Sequence, residues 1–135
     1  MKNFLIVLKF VGTNYHGWQI QKNAITVQEI FQNSIVKIFG AMPEIKGCSR
    51  TDSGVHANMY CVNAKFPELI SVNKIPIALN KFLPYDISVI DCREVRESFH
   101  ARYSCLGKEY IYKIHNCKIR DPFLFGRVLN YRYPI

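Results

Sequence analysis

At 135 residues, with 49% hydrophobic and 21% charged side chains, the chain has the length and composition of one folded domain, which excludes collagen, coiled coil and intrinsic disorder. Eighteen Lys and Arg against ten Asp and Glu leave a net charge of +8, a surplus that favours a polyanionic partner, nucleic acid first, although a basic surface also serves solubility. Five cysteines, with no pair at zinc-site or CxxC spacing, read as free and mostly buried thiols in a reducing compartment.

The chain opens with Phe4, Ile6, Leu8 and Phe10 alternating with Leu5, Val7, Lys9 and Val11, apolar on both faces, as an interior strand requires. Lys9 cuts this apolar run short and no small-residue cleavage site follows, so a signal peptide is not expected; no run is long enough to cross a bilayer, and the chain reads as cytoplasmic. A loop with Gly12, Asn14 and Gly17 comes next. Thr26 and Glu29 have capping-box spacing, Val27, Ile30, Phe31, Ile35, Ile38 and Phe39 recur at helical period, and Gly40 stands where a helix stops. Met59 to Phe66 reads as a strand, and Asn73 to Phe82 as a short helix with Ile75, Ala78, Leu79 and Phe82 inward. Asp86 to Val95 and Lys108 to His115 read as two more strands. This order predicts an α+β fold of the split βαβ, ferredoxin-like kind: a mainly antiparallel sheet with helices on one face. Residues 1–115 form the expected domain, and 116–135, ending without a cap or closing strand, read as the start of a truncated second half.

Three segments stand out chemically. In Gly47-Cys48-Ser49-Arg50-Thr51-Asp52-Ser53-Gly54-Val55-His56-Ala57, Asp52 and Gly54 suit a plain turn. Yet Arg50 and Asp52, two apart, share a face in extended backbone, so the guanidinium can hold the carboxylate ionised, and loops on a rigid sheet are where chemistry is placed. Ser98 to Tyr103 and then Lys108-Glu109-Tyr110-Ile111-Tyr112 combine cations with two tyrosines on one strand face, which suits base stacking beside phosphate contacts and equally suits core packing. Tyr15-His16-Gly17-Trp18-Gln19-Ile20-Gln21 carries the only tryptophan.

Together, Gly12 to Gln21, Ser49 to Ala57, Phe99-His100-Ala101-Arg102 and Lys108 to Tyr112 occur in the order and spacing of the TruA-type tRNA pseudouridine synthases, which the chain resembles from about Phe4 onward. Pro76 to Asn80 and Leu83 to Ile87 resemble that family's intervening helix and turn, and Ser49 stands where the family usually has glycine. The resemblance implies isomerisation of uridine to pseudouridine in the tRNA anticodon stem-loop, with no cofactor and no metal. It implies Asp52 as the catalytic nucleophile, Arg50 beside it helping to displace the base, and Tyr110 covering the uracil. Arg102, Lys108, Tyr112, Trp18 and Gln19 are the implied RNA contacts, and His56 a structural support. Family members are roughly twice this size, with a second half that completes the cleft and a homodimer, so a partner half and low activity of this chain alone are expected. A catalytically silent RNA-binding module, and a basic domain whose Arg50 and Asp52 merely brace a loop, are the competing readings.

Overall fold

The alternation at the start of the chain becomes strand β1, Lys2–Phe10, in a computed structural model that describes residues 1–135. Phe4, Ile6, Leu8 and Phe10 point into one apolar core, all at 3% exposure or less. Helix α1, Val27–Phe39, follows as its pattern predicts: Thr26 Oγ1 accepts from the Glu29 amide, and Gly40 ends the helix at φ 73°, where a side chain would be strained. Strand β2, Glu44–Gly47, was not anticipated. It has four residues and half-exposed side chains, too little for a periodic signal. It pairs antiparallel with β3, Ala57–Phe66, which in turn pairs antiparallel with β1.

Helix α2 is shorter than its pattern, Ile75–Asn80 after a 3-10 turn at Val72–Lys74. Ile75 and Leu79 are fully buried as expected, but Phe82 lies past the helix end and is 45% exposed. The helix stops where Asn80 turns its amide onto the sheet, donating to the Val89 carbonyl at 2.9 Å and accepting from the Val89 amide at 2.8 Å. Val89 belongs to β4, Ile87–Val95, an edge strand antiparallel to β1 with a register shift opposite Val7 and Leu8. The sheet order is β2-β3-β1-β4. Both helices contribute to the core of Phe4, Ile6, Val62 and Phe66, so they cover one face. The expected split βαβ architecture is therefore present. Each buried Phe, Ile or Leu contributes about 1.5–3 kcal/mol.

The other sheet face carries Asn3, Leu5, Val7, Cys61 and Asn63. Asn3 Nδ2 donates to the carbonyls of Arg96 and Phe99, both at 3.1 Å, and Asn63 Oδ1 accepts from the Ala101 amide at 2.8 Å, fastening the segment after β4 to this face. Met1–Cys105 form one compact unit and Leu106–Ile135 a second. In the second unit the expected strand Lys108–His115 is not formed: only Ile114–His115 is extended (β5), paired in parallel with Leu129–Asn130 (β6), which supplies a closing strand not expected from sequence. Alternation alone gave residues 108–112 no ladder partner, and a strand requires one; the Lys113 carbonyl, beside β5, accepts from the Leu129 amide at 2.8 Å.

Candidate active site

The loop between β2 and β3 is built on aromatic side chains from below. The Cys48 amide donates to the Cys61 carbonyl at 3.0 Å, continuing the ladder one residue past β2. At Gly47 a Cβ would collide with the Tyr60 hydroxyl and with Trp18 Nε1, 2.6 Å away, so only glycine lets the backbone lie on these two rings. Tyr60 and Trp18 pack at 4.4 Å between ring centroids, and Trp18 reaches Phe31 of α1 at 6.3 Å. The Tyr60 hydroxyl donates to the Ser49 carbonyl, and the Ser49 amide lies 3.5 Å from the Tyr60 hydroxyl oxygen. No non-glycine residue has positive φ, so serine at position 49 meets no backbone penalty.

Two segments distant in sequence are thereby joined. The Trp18 amide donates to the Thr51 carbonyl at 3.4 Å, the Gly54 amide to the Tyr15 carbonyl at 3.1 Å, and Ser53 Oγ to that carbonyl at 3.4 Å. The Gly12 amide donates to His56 Nδ1 at 2.9 Å, fixing the far end of the loop in the supporting role expected of this imidazole. Gly12 and Gly17 permit the approach, since a Cβ on either would overlap a carbonyl oxygen of the loop, that of Val55 or of Thr51. Tyr15 is held in turn by its hydroxyl, which donates to Asp86 Oδ1 at 2.6 Å.

On this scaffold Asp52 to Val55 form a tight turn, closed by the Val55 amide on the Asp52 carbonyl at 3.2 Å, with Gly54 at φ 80°. The Asp52 side chain is exposed and takes no part in the turn's hydrogen bonding or in any of the ion pairs. Arg50 is likewise exposed, and it forms no ion pair with Asp52. The carboxylate is thus presented rather than used as a brace.

The remaining expected site residues fall into three groups. Gln19 is exposed on the segment between β1 and α1, whereas Trp18 is 2% exposed and is corrected from an RNA contact to part of the floor of the Asp52 loop. Its indole is consumed by packing against Tyr60 and Phe31. Arg102 is exposed on the turn after β4, its guanidinium 5.9 Å from the Tyr103 ring centroid. That turn is knotted by His100, whose Nδ1 accepts from the Arg102 and Tyr103 amides at 3.1 and 3.3 Å. Lys108, Tyr110 and Tyr112 belong to the second unit, where Tyr110 is 74% and Tyr112 90% exposed.

Tyr15 and Tyr60, which join and support the loop, were not singled out from sequence. Tyr60 shares the inward parity of Val62, Ala64 and Phe66, and a buried hydroxyl at such a position requires a partner. Burial, reinforced by Asp86, raises the Tyr15 phenol well above its ordinary value; burial and then the neighbouring Cys48 thiol do the same for Tyr60. Burial likewise pushes the Cys92 thiol up to about 12, with Asp91 adding to the effect. These groups are therefore neutral supports. No helix is long and apolar enough to cross a membrane.

Comparison with known proteins gives a consistent result. A family model described as tRNA pseudouridine synthase matches residues 6–104. A tRNA pseudouridine synthase A of Thermoanaerobacter sp. (strain X514) is 47% identical over 135 residues, covering the whole chain and 55% of the relative. The protein of that name from Aquifex aeolicus (strain VF5) is 46% identical over 125 residues, or 93% of this chain and 52% of the relative. That of Ruminiclostridium cellulolyticum is 47% identical over 116 residues, or 86% and 47%. The chain spans about half the length of the curated relatives it matches.

Proposed function

The chain belongs to the tRNA pseudouridine synthase family, and on that premise we propose that it contributes the nucleophile-bearing half of an enzyme converting uridine to pseudouridine in the tRNA anticodon stem-loop. The observation that carries this reading is the Asp52 carboxylate, held out on a rigid turn with no hydrogen bond or salt bridge of its own. A group that braced the loop would be spent on it.

In the proposed reaction the Asp52 carboxylate attacks the target nucleotide, at C1′ of the ribose or C6 of the base. The N1–C1′ bond breaks with its electron pair on the uracil. The base turns, C5 bonds to C1′, the Asp52 carboxylate leaves with the electron pair of its own bond, and the C5 proton is lost to solvent while N1 takes one up, so the product is an isomer of the substrate and no redox partner is needed. A stacked uridine must first leave the helix, at a cost of a few kcal/mol. Arg50 is proposed to fill the vacated space and Tyr110 to cover the uracil face, while Arg102, Lys108, Tyr112 and Gln19 hold the surrounding RNA. Charge supports this assignment: Arg50, Arg102 and Lys108 are absent from the five ion pairs, which leaves their charge for phosphates.

Residues 116–135 are proposed to open the second half, with the relatives' remaining length supplying a cation opposite Asp52 and the surface of a homodimer, in the cytoplasm. The test is tritium release from unmodified tRNA labelled at uridine C5. Asp52→Asn in the completed enzyme is expected to lower the rate by roughly a thousandfold or more while tRNA is still retained. Undiminished release would refute the assignment of Asp52. The 135-residue chain alone is expected to retain tRNA without turnover.

A further inference from the structure

On the helix-covered side of the first unit, two depressions of about 460 and 530 Å³ share Ile30 and Pro84 and so form one groove between α1 and the turn leading into β4. One end is lined by Asn14 and by Tyr15, whose carbonyl accepts from Gly54 and Ser53 of the Asp52 turn, and the other by Lys37 and Lys81. Two aromatic rings stand open along it. Tyr85 is fully exposed and Phe82 is 45% exposed, with the Lys37 ammonium 5.8 Å from the Phe82 centroid. Neither lysine has an acidic partner, and the one carboxylate in the groove, Asp86, is occupied by the Tyr15 hydroxyl at 2.6 Å.

Here two exposed rings line one groove with unneutralised cations: Phe82 shares its depression with Lys37 and Lys81, and Tyr85 lines the adjoining one. That combination matches single-stranded nucleic acid, whose bases stack on aromatic faces while its phosphates take the positive charge. An acidic or apolar peptide would use only one of the two features. We propose that this groove is a second RNA contact: an unpaired nucleotide lies on Tyr85 and Phe82 with its flanking phosphates at Lys37 and Lys81. The inference rests on the tRNA reading above and extends it, placing RNA on the helix side of the loop as well as at Asp52. Its function is to retain the substrate strand beside the catalytic turn, through the Asn14–Tyr15 end of the groove.

The experiment measures binding of a labelled short oligouridylate and of an unmodified tRNA transcript to the full 135-residue chain by fluorescence anisotropy across a salt series. Tyr85→Ala is expected to weaken oligouridylate binding about tenfold, the effect of removing one stacking platform. Lys37→Gln with Lys81→Gln is expected to flatten the log–log salt slope by about 1.4, roughly 0.7 for each single-strand phosphate left without its cation. All three side chains are exposed, so thermal melting is expected to be unchanged, which separates unfolding from weakened binding. Wild-type RNA binding that none of these substitutions alters would overturn the groove while leaving the family reading intact. Wild-type chain that binds neither RNA would overturn the groove and, with it, the proposed retention of tRNA by this half. Loss of self-association in Tyr85→Ala with RNA binding unchanged would assign the groove to a second copy of the chain and refute the proposal.

Discussion

The Asp52 turn and the Lys108–Tyr112 segment carry the same kinds of residue, cations and polar groups beside aromatics, yet the structure treats them in opposite ways. Around Asp52 every aromatic is buried underneath, at 7% exposure or less for Tyr15, Trp18 and Tyr60, and the charged groups are left on top. In the second segment the aromatics themselves are on the surface, Tyr112 at 90%, with backbone that joins no sheet until Ile114. A loop is made rigid by what its carbonyls and amides bond to, not by its own composition. The Asp52 turn has that support from residues 12–18; residues 108–112 have none from a ladder of their own.

Four substitutions or conditions put this contrast at risk. Trp18→Ala removes the floor of the loop and is expected to cost about 3–5 kcal/mol, read as a fall in the urea midpoint. Gly17→Ala comes next. With φ at 79° and the Thr51 carbonyl in the way, a methyl group is expected to cost about 2 kcal/mol or more, against about 1 kcal/mol for Gly40→Ala, where φ is similar but the space is open.

Alkali provides a third test. Tyr15 and Tyr60 have raised folded pKa values, burial being the main cause, so above the ordinary phenol value near 10 the unfolded chain has lost protons that the folded chain keeps. Stability is therefore complete below that pH and declines as pH rises beyond it. Titration at 295 nm is expected to show Tyr15 and Tyr60 ionising only with the loss of tertiary circular dichroism. Tyr15→Phe is expected to reduce that dependence. The smallest effect is expected from Tyr110→Ala with Tyr112→Ala, within about 0.5 kcal/mol in the 135-residue chain, because neither ring is buried. A larger loss of stability would show that the second segment is held in a way its exposure does not reveal.

Much of this was legible in advance. Helix α1 follows from Thr26, Glu29, the apolar stripe and Gly40 without reference to anything else in the chain, since each signal acts within a few residues. Strands β1, β3 and β4 were readable from alternation. The position of Asp52 on a glycine-bearing turn was readable too. The contribution of Trp18 was not, because a lone tryptophan among polar residues looks the same whether it faces solvent or lies under a neighbouring loop. Nor was the absence of an Arg50–Asp52 ion pair, which depends on side-chain directions that spacing alone does not set.

The sequence by itself determined the local elements and the turn that carries Asp52, because capping, alternation and turn chemistry are short-range and residue-specific. Only the tertiary structure decided that residues 12–18 and 49–56 form one body, and that its aromatics lie beneath its charges. Those outcomes depend on hydrogen bonds and ring contacts between segments some forty positions apart, such as the Gly12 amide on His56. Packing of that kind is settled by the sum of many weak contacts in one shared core, and no window of sequence contains it.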